Sequence, residues 1–222
     1  HRITRPVAVE EELEDLAEII AEAKKPLVIV GGGVRYSEAG ETVEKFCEEF
    51  KIPFGESQAG KSACKSSHPY CLGGIGVTGT YASNIIAEDA DVVIAIGSRM
   101  SDFTTSSKRL FKNPDVKFVT INNCRFHAYK MDAAKAVGDA KVTVEELNKL
   151  SKDPDEVAKY EEREWSIMRY DVEMKTNREL GEKEGEARGR KEKEVEIVKK
   201  LHSLNTPIEK IAEIVNISTE EV

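Results

Sequence analysis

Glycine-rich segments are the parts of this chain whose residue types and spacing suggest binding chemistry. Three consecutive glycines occupy positions 31–33, and Gly97-Ser98-Arg99 follows a second apolar run. Glycine lets backbone N–H groups approach an anion closely, and arginine can bind a phosphate through two hydrogen bonds. Both segments are therefore candidates for binding a nucleotide.

A third glycine segment has the spacing of a dinucleotide-binding motif. Gly74, Gly76 and Gly79 match G-x-G-x-x-G, but no apolar strand run stands directly before them. No acidic residue ends a following strand at the position that would bind a ribose. An alternative therefore stays open, in which the glycines serve tight strand–helix turns and close packing.

The sequence offers no arrangement typical of catalysis or of a metal site. The four cysteines lack C-x-x-C spacing, so we expect reduced thiols that are mostly buried. His68 and His127 have no second histidine or carboxylate at metal-binding spacing. Ser62 and Ser66 lack the strained turn and the base of a nucleophile. We therefore assign no catalytic and no metal-binding residue.

Strand and helix patterns alternate through the first 150 residues, and these elements would position the glycine segments. The apolar runs at 27–30, 92–96 and 116–121 are continuous, as in strands buried on both faces of a parallel sheet. Strands separated by helices predict a doubly wound parallel sheet, in which ligands bind at the carboxyl ends of the strands. The other predicted elements are helices at 10–23, 37–51, 81–88 and 142–150, the last with Thr143 as N-cap and Glu146 as its partner, and short strands at 52–55 and 137–139.

The order of these segments resembles the central domain of thiamine-diphosphate-dependent enzymes. The resemblance rests on Lys25 to Gly33, Ala90 to Arg99 and Val137 to Ala140, in that order. Gln58-Ala59-Gly60-Lys61-Ser62 and Gly73 to Thr80 narrow it to the ring-opening acylhydrolases of inositol degradation. The resemblance covers about residues 1–150 and implies an α/β, Rossmann-like domain.

The family resemblance implies that other domains hold the cofactor. In such enzymes one flanking domain supplies a glutamate for thiamine diphosphate, and the other supplies a Gly-Asp-Gly…Asn motif for Mg²⁺, and neither motif is found here. We therefore expect a structural fragment of a carbon–carbon acylhydrolase acting on a cyclic 1,2-dione, inactive alone and contacting flanking domains and subunits. The alternative is a nucleotide-binding (FAD or ADP) or self-associating module without catalysis.

Some members of the family bind FAD or ADP on this domain, and the resemblance places that site at the strand ends. Asn122 falls where such relatives often carry an acidic residue near the ribose. A neutral amide is a poorer acceptor there, so FAD is not expected. The candidate cofactor-binding residues are Gly31, Gly32, Gly33, Gly97, Ser98, Arg99 and Asn122.

Residues 151–222 are predicted to form a differently built, mostly helical tail. Charged residues make up 33 of these 72 positions, against 41 of the first 150. A segment this polar buries too little to form a globular domain, so we expect an extended helix over 155–200. Glycines at 181, 185 and 189 weaken an isolated helix, which favours pairing with another chain. Thr206 as N-cap and Pro207 begin a further helix over 206–216, which is similar to the start of a helix-turn-helix without its recognition helix.

The tail also resembles the C-terminal region of recombination-promoting nucleases and transposases. The resemblance rests on Leu150 to Pro154, Tyr160 to Glu164 and Ile208 to Ile214. The acidic nuclease core of that family is not found, so we expect no nuclease activity.

Charge and hydropathy exclude further classes of protein. The net charge of −8 argues against a free-standing nucleic-acid-binding protein. No apolar run approaches the roughly 18 residues needed to span a bilayer. The chain starts at His1 without a leader pattern, so we expect a cytoplasmic piece of a longer protein.

Overall fold

The computed structural model describes residues 4–150, 185, 188–193, 195–204, 206–215 and 217–218. The chain divides into two compact units, His1–Met168 and Arg169–Val222. The first unit holds the sheet and all the candidate binding residues.

Six parallel strands form one sheet in the order β3-β2-β1-β4-β5-β6. The central pair runs in register from Pro26 opposite Val92 to Val30 opposite Ile96. The predicted doubly wound parallel sheet is confirmed, and the strand order reverses between β1 and β4. The strands are β1 (Pro26–Val30), β2 (Phe54–Glu56), β3 (Cys71–Gly74), β4 (Val92–Ile96), β5 (Lys117–Ile121) and β6 (Ala134–Ala136).

Helices cover both faces of the sheet. Successive residues of a strand point to opposite faces, so Val28 and Val30 join one apolar cluster while Leu27 and Ile29 join the other. All five residues of β1 are buried, as the continuous apolar run predicts. The helices among the described residues of this unit are α1 (Glu10–Glu22), α2 (Gly32–Tyr36), α3 (Gly40–Glu49), α4 (Tyr81–Asp89), α5 (Asp102–Thr105), α6 (Arg125–Ala128) and α7 (Ala140–Leu150).

The predicted helix over 37–51 is wrong at its start. The chain instead forms the short helix α2 directly after β1, turns, and begins α3 at Gly40. Glu38 adopts a left-handed conformation with φ of 55°, which interrupts a right-handed helix. The strand predicted over 52–55 also begins later, because β2 starts at Phe54.

The predicted strand over 137–139 and the predicted cap at Thr143 are also wrong. β6 ends at Ala136, and α7 begins at Ala140. Asp139 caps this helix, since its Oδ1 accepts hydrogen bonds from the backbone N–H groups of Lys141 at 3.1 Å and Val142 at 3.4 Å. Thr143 lies inside the helix and is fully buried.

Asp139 also ties the start of the chain to this helix. Its carboxylate accepts hydrogen bonds from Arg5 at 3.1 Å and from the hydroxyl of Ser37 at 2.9 Å. Its backbone N–H donates to the carbonyl of Pro6 at 2.8 Å. Because Asp139 is only 6% exposed, these bonds compensate the cost of burying its charge.

The second unit contains helical residues at 188–193 and 195–203 and a helix over Ile208–Val215. The latter confirms the helix predicted after Thr206 and Pro207. The extended helix predicted over 155–200 falls largely on 151–184, which lie outside the described residues. In the ranges that the structure describes, no helix is long and apolar enough to cross a membrane.

The thiols of three cysteines lie where ionisation is disfavoured. All four cysteines are free, and Cys47 and Cys64 are buried. Burial, followed by the nearby carboxylates of Glu44 and Glu56, raises the pKa of Cys64 from 9.0 to about 12. Burial also raises the pKa of the Cys47 and Cys71 thiols.

We expect Cys64 to make the fold sensitive to alkali. Between about pH 9 and about pH 12 the native thiol keeps a proton that the unfolded chain has lost. The free energy of unfolding therefore falls as pH rises through this window. Urea denaturation at a series of pH values should show a weaker fall for Cys64→Ala, with Cys124→Ala as control. An equal fall in both variants would contradict this expectation.

Candidate functional site

The point where the strand order reverses lies between the carboxyl ends of β1 and β4. In doubly wound sheets this position forms a crevice in which ligands bind. Gly31 follows the end of β1, and Gly97 follows the end of β4. The two glycine segments that the sequence selects are therefore brought together at this reversal point.

The close approach of the two segments explains why most of these positions are glycine. The backbone N–H of Gly31 donates to the carbonyl of Ile96 at 2.9 Å, and that of Gly33 donates to the carbonyl of Gly97 at 2.9 Å. A Cβ on Gly31 would lie 2.3 Å from the carbonyl oxygen of Gly97 and from Cα of Ser98. Close packing of backbone, the alternative left open by the sequence, thus explains Gly31, Gly33 and Gly97.

Gly97 has a second reason to be glycine. Its φ of 57° lies in the left-handed region, and a Cβ there would lie 2.7 Å from Cα of Gly33. Its backbone N–H donates to the carbonyl of Ile121 at 2.7 Å, which carries the contact on to β5. Three neighbouring strand ends are therefore joined through backbone groups alone.

Asn122 joins the same network from the end of β5. Its Nδ2 donates to the carbonyl of Ser98 at 3.2 Å, and its Oδ1 accepts from the backbone N–H of Cys124 at 2.9 Å. The amide thus connects two loops at the position where the family resemblance implies a ribose-binding acid. Both polar atoms of the Asn122 side chain already have partners inside the protein.

Ser98 and Arg99 differ from the other candidates. Ser98 is 2% exposed, and its hydroxyl has no hydrogen-bond partner among the described residues. Arg99 is exposed at the same edge, and Gly32 begins α2 beside Ala59. Among the candidates, the hydroxyl of Ser98 and the guanidinium of Arg99 are the side-chain groups that no described hydrogen bond occupies.

The segment with G-x-G-x-x-G spacing lies elsewhere, between the edge strand β3 and α4. The expectation that no strand precedes it is wrong, since Gly74 is the last residue of β3. The backbone N–H of Gly76 donates to Oδ1 of Asn84 at 3.0 Å, and that of Gly79 donates to the carbonyl of Gly76 at 2.9 Å. Asn84 therefore fixes this loop, and these two amides are occupied within it.

Two buried carboxylates were not selected from the sequence. Glu56, at the end of β2, accepts a hydrogen bond from the backbone N–H of Ser62 at 3.0 Å. Glu44, on α3, accepts one from the backbone N–H of Lys65 at 2.5 Å. Each is 7% exposed, and together they hold the loop after Gln58. Both glutamates lie among apolar residues, Glu56 at the end of β2 and Glu44 on α3, and this sequence pattern could have indicated that they are buried.

No metal centre is formed by these side chains. In the part of the chain that the structure describes, no group of three or more histidine, cysteine, aspartate and glutamate residues is arranged to bind a metal ion. At the end of β5, Arg125 donates a hydrogen bond to the phenol of Tyr129, which lowers the pKa of Tyr129, and Lys135 adds to this effect.

Comparison with known proteins identifies relatives of the sheet domain. A family model for the central domain of thiamine pyrophosphate enzymes matches residues 13–147. A 3D-(3,5/4)-trihydroxycyclohexane-1,2-dione hydrolase of Clostridium perfringens strain ATCC 13124 is 65% identical over 150 residues, covering 68% of this chain and 24% of that protein. A hydrolase of the same name from Clostridium botulinum strain Alaska E43 is 60% identical over 162 residues, covering 73% and 25%. The chain thus spans about a quarter of the length of the curated relatives it matches.

A solved structure has the same fold. Benzoylformate decarboxylase from Polynucleobacter necessarius superposes with a TM-score of 0.55 at 18% identity, covering 68% of this chain and 28% of that one. At this identity the likeness concerns the fold alone.

The family model matches more than half of the chain, and the matched residues run from within α1 to within α7, which are the limits of the sheet domain. The chain therefore belongs to the family of thiamine pyrophosphate enzyme central domains.

Proposed function

We propose that residues 1–150 of this chain are the central domain of a cytoplasmic thiamine-diphosphate-dependent hydrolase that opens a cyclic 1,2-dione. The observation that carries the proposal is the identity of 65% over 150 residues to a trihydroxycyclohexanedione hydrolase. This identity is far above the 18% that the chain shares with a solved protein of the same fold. The inositol-degrading branch indicated by the sequence agrees with the names of these relatives.

The domain would act in this enzyme as a structural element. Among the described residues, no three histidine, cysteine, aspartate or glutamate side chains are placed to bind a metal ion, and burial raises the pKa of the Cys64 thiol. We therefore assign thiamine diphosphate and Mg²⁺ to parts of the parent enzyme outside this stretch. What the domain supplies is the rigid sheet edge formed by Gly31, Gly97 and Asn122.

A transplant tests this proposal. Residues 1–150 would replace the matched stretch of the Clostridium perfringens hydrolase, and ring opening of the cyclic dione would be assayed. We expect activity within about tenfold of the parent, which corresponds to about 1.4 kcal/mol in activation free energy. This chain alone, supplied with thiamine diphosphate and Mg²⁺, should show no turnover.

The matched control is the same transplant made with the central domain of benzoylformate decarboxylase. That domain shares the fold but only 18% of the sequence, so activity should be lost. If both transplants were equally inactive while folded, the proposed substrate class would be wrong. Turnover by the isolated chain would contradict the structural role.

A second candidate function is nucleotide binding at the reversal point between β1 and β4. It is favoured by the buried hydroxyl of Ser98, which lacks a partner, next to the exposed Arg99. We expect ADP, the shared part of FAD and related cofactors, to be the best test ligand. Calorimetry should give heat with ADP that Arg99→Ala removes and Arg188→Ala, in the second unit, retains. No heat with ADP, FAD or NAD at millimolar concentration would exclude this function.

The tail would have a separate origin. The family model ends at residue 147, and the charged fraction rises near residue 150. We infer that residues 149–222 derive from the C-terminal region of recombination-promoting nucleases, without nuclease activity, and that they promote self-association. Sedimentation of the full chain and of residues 1–150 compares their oligomeric states. Equal states would exclude the tail as the association element.

A further inference from the structure

One tyrosine of the sheet domain is in contact with two basic side chains. Tyr129 follows the last residue of α6 and is 55% exposed. Nζ of Lys135, on β6, lies 4.5 Å from the centre of the Tyr129 ring. Arg125, one helical turn before Tyr129, donates a hydrogen bond to the phenol oxygen. The phenol thus has one cation over its ring and a second cation at its hydroxyl group.

The register of the sheet determines this contact. Thr120 of β5 lies opposite Lys135 of β6, and register partners point to the same face of a sheet. On that face the hydroxyl of Thr120 donates to the carbonyl of Ala128 at 2.7 Å, which holds α6 against the strands. The backbone N–H of Tyr129 donates to the carbonyl of Arg125 at 3.3 Å, which closes the turn that carries both side chains. The fold therefore places the two cations beside the phenol.

The turn between Tyr129 and Lys135 has a strained backbone. Met131 and Asp132 adopt left-handed conformations with φ of 65° and 54°, although neither residue is glycine. Such conformations cost free energy and persist only where the surrounding structure determines them. They are concentrated at functional sites, which makes this turn a place to look for chemistry.

The two cations favour ionisation of the phenol. The hydrogen bond from Arg125, followed by the charge of Lys135, lowers the pKa of Tyr129. Partial desolvation and the carboxylate of Glu12 oppose this shift, and the effect of Glu12 is the weaker of the two. Oε2 of Glu12 also accepts a hydrogen bond from the backbone N–H of Val137 at 2.9 Å. Because the phenolate is the nucleophilic form of tyrosine, a phenol that ionises more readily reacts faster at a given pH.

Two other tyrosines are more exposed but lack these cations. Tyr36 is 83% exposed and Tyr81 is 66% exposed. In the part of the chain that the structure describes, neither ring has a lysine or arginine over its face. Exposure alone would make Tyr36 the most reactive of the three, whereas the neighbouring cations would make it Tyr129.

We propose that Tyr129 is a modification site, whose phenol oxygen accepts a group from an anionic electrophile of the phosphoryl-donor class. Arg125 and Lys135 attract the negative charge of the donor and can donate hydrogen bonds to the oxygens of the transferred group. In the transfer the phenol oxygen forms a bond to the electrophilic atom, and the bond from that atom to its leaving group breaks. The leaving group takes the electron pair of the broken bond, and the phenolic proton passes to solvent. This site is independent of the proposed hydrolase function and uses no thiamine diphosphate.

Labelling of the full chain with two sulfonyl fluorides tests the site. The anionic probe is para-fluorosulfonylbenzoate, and the neutral probe is benzenesulfonyl fluoride. Each probe forms a sulfonate ester with a phenolate and releases fluoride. At about pH 8 an ordinary tyrosine is almost fully protonated. We expect peptide mass spectrometry to show the anionic probe on Tyr129 at least about fivefold faster than on Tyr36 or Tyr81. The preference should be smaller with the neutral probe, and high salt should reduce the difference between the probes.

Substitution of the cations separates their effect from exposure. Arg125→Ala and Lys135→Ala should each slow labelling of Tyr129 by at least about threefold, while the rates of the other two tyrosines report that the fold is intact. Arg109→Ala, which removes an exposed arginine elsewhere in the domain, should change no rate. Arg125→Lys keeps the charge and should retain part of the preference for the anionic probe.

Three outcomes would overturn the proposal. The first is labelling of Tyr36 or Tyr81 as fast as Tyr129. The second is a Tyr129 rate that neither alanine substitution changes. The third is equal preference for the two probes, since the site would then not select an anionic donor.

Discussion

Replacing Gly31 with alanine is expected to lower the free energy of unfolding by about 3 kcal/mol or more, since the added methyl group overpacks the core of the site. The backbone of Gly31, with φ of −108° and ψ of 177°, is extended and suits any residue. The cost therefore comes from contact alone, because the new Cβ would lie 2.3 Å from backbone atoms of Gly97 and Ser98. Those atoms cannot rotate away, as the end of a flexible side chain could.

Gly74→Ala is the matched control. A Cβ at Gly74 would meet no atom closer than 3.7 Å, so we expect its stability to change by less than about 1 kcal/mol. Guanidinium denaturation followed by circular dichroism would measure both variants. If Gly31→Ala were as stable as Gly74→Ala, the close approach of the β1 and β4 loops would be wrong.

Replacing Asp139 with alanine is expected to lower the free energy of unfolding by about 2–4 kcal/mol, because a helix cap and the hydrogen bonds of a buried carboxylate are lost together. Ser37 and the first turn of α7 would lose this acceptor, whereas Arg5 would keep the carbonyl of Ser37 and the carboxylate of Glu38. Asp139→Asn keeps an oxygen for the helix cap but loses the charge, so its effect should be smaller. Thermal and guanidinium denaturation would measure both.

Glu146→Ala serves as the control for Asp139. Glu146 lies on the same helix and pairs with Lys149 at 2.7 Å, but this pair is exposed. Exposed pairs contribute about 0–1 kcal/mol, so the control should stay close to the unchanged protein. A difference of less than about 1 kcal/mol between the two alanine variants would contradict a stabilising role for Asp139.

Strands β1 and β4 could be predicted from sequence because all their residues are buried. Val92 to Ile96 is apolar at every position, and β4 has these bounds. Apolar runs of this kind are determined by hydrophobic burial, which is local information. The start of α4 is also determined by local information, because the hydroxyl of Thr80 caps the helix by accepting a hydrogen bond from the backbone N–H of Ser83.

The parts that could not be predicted depend on partners distant in sequence. Asp139 caps α7 because Arg5, 134 positions away, holds its carboxylate, and nothing near Thr143 signals this. The break at Glu38 likewise depends on how α2 and α3 pack. At the candidate site, the sequence correctly selects the two loops that contain Gly31 and Gly97. Only the fold shows that the backbone groups of these loops form hydrogen bonds with each other.

The pairing of β1 with β4 has a consequence for the order of folding. Val30 lies opposite Ile96, and the chain between them contains two other strands and three helices. Closing so long a loop costs entropy before the contact stabilises the structure, so parallel sheets of this topology fold slowly. On the ribosome, β1 would emerge well before its central neighbour and remain half covered by β2 until Ile96 is synthesised. A nascent chain stalled before that residue would expose the unpaired edge of a wholly apolar strand and would be a target for chaperones.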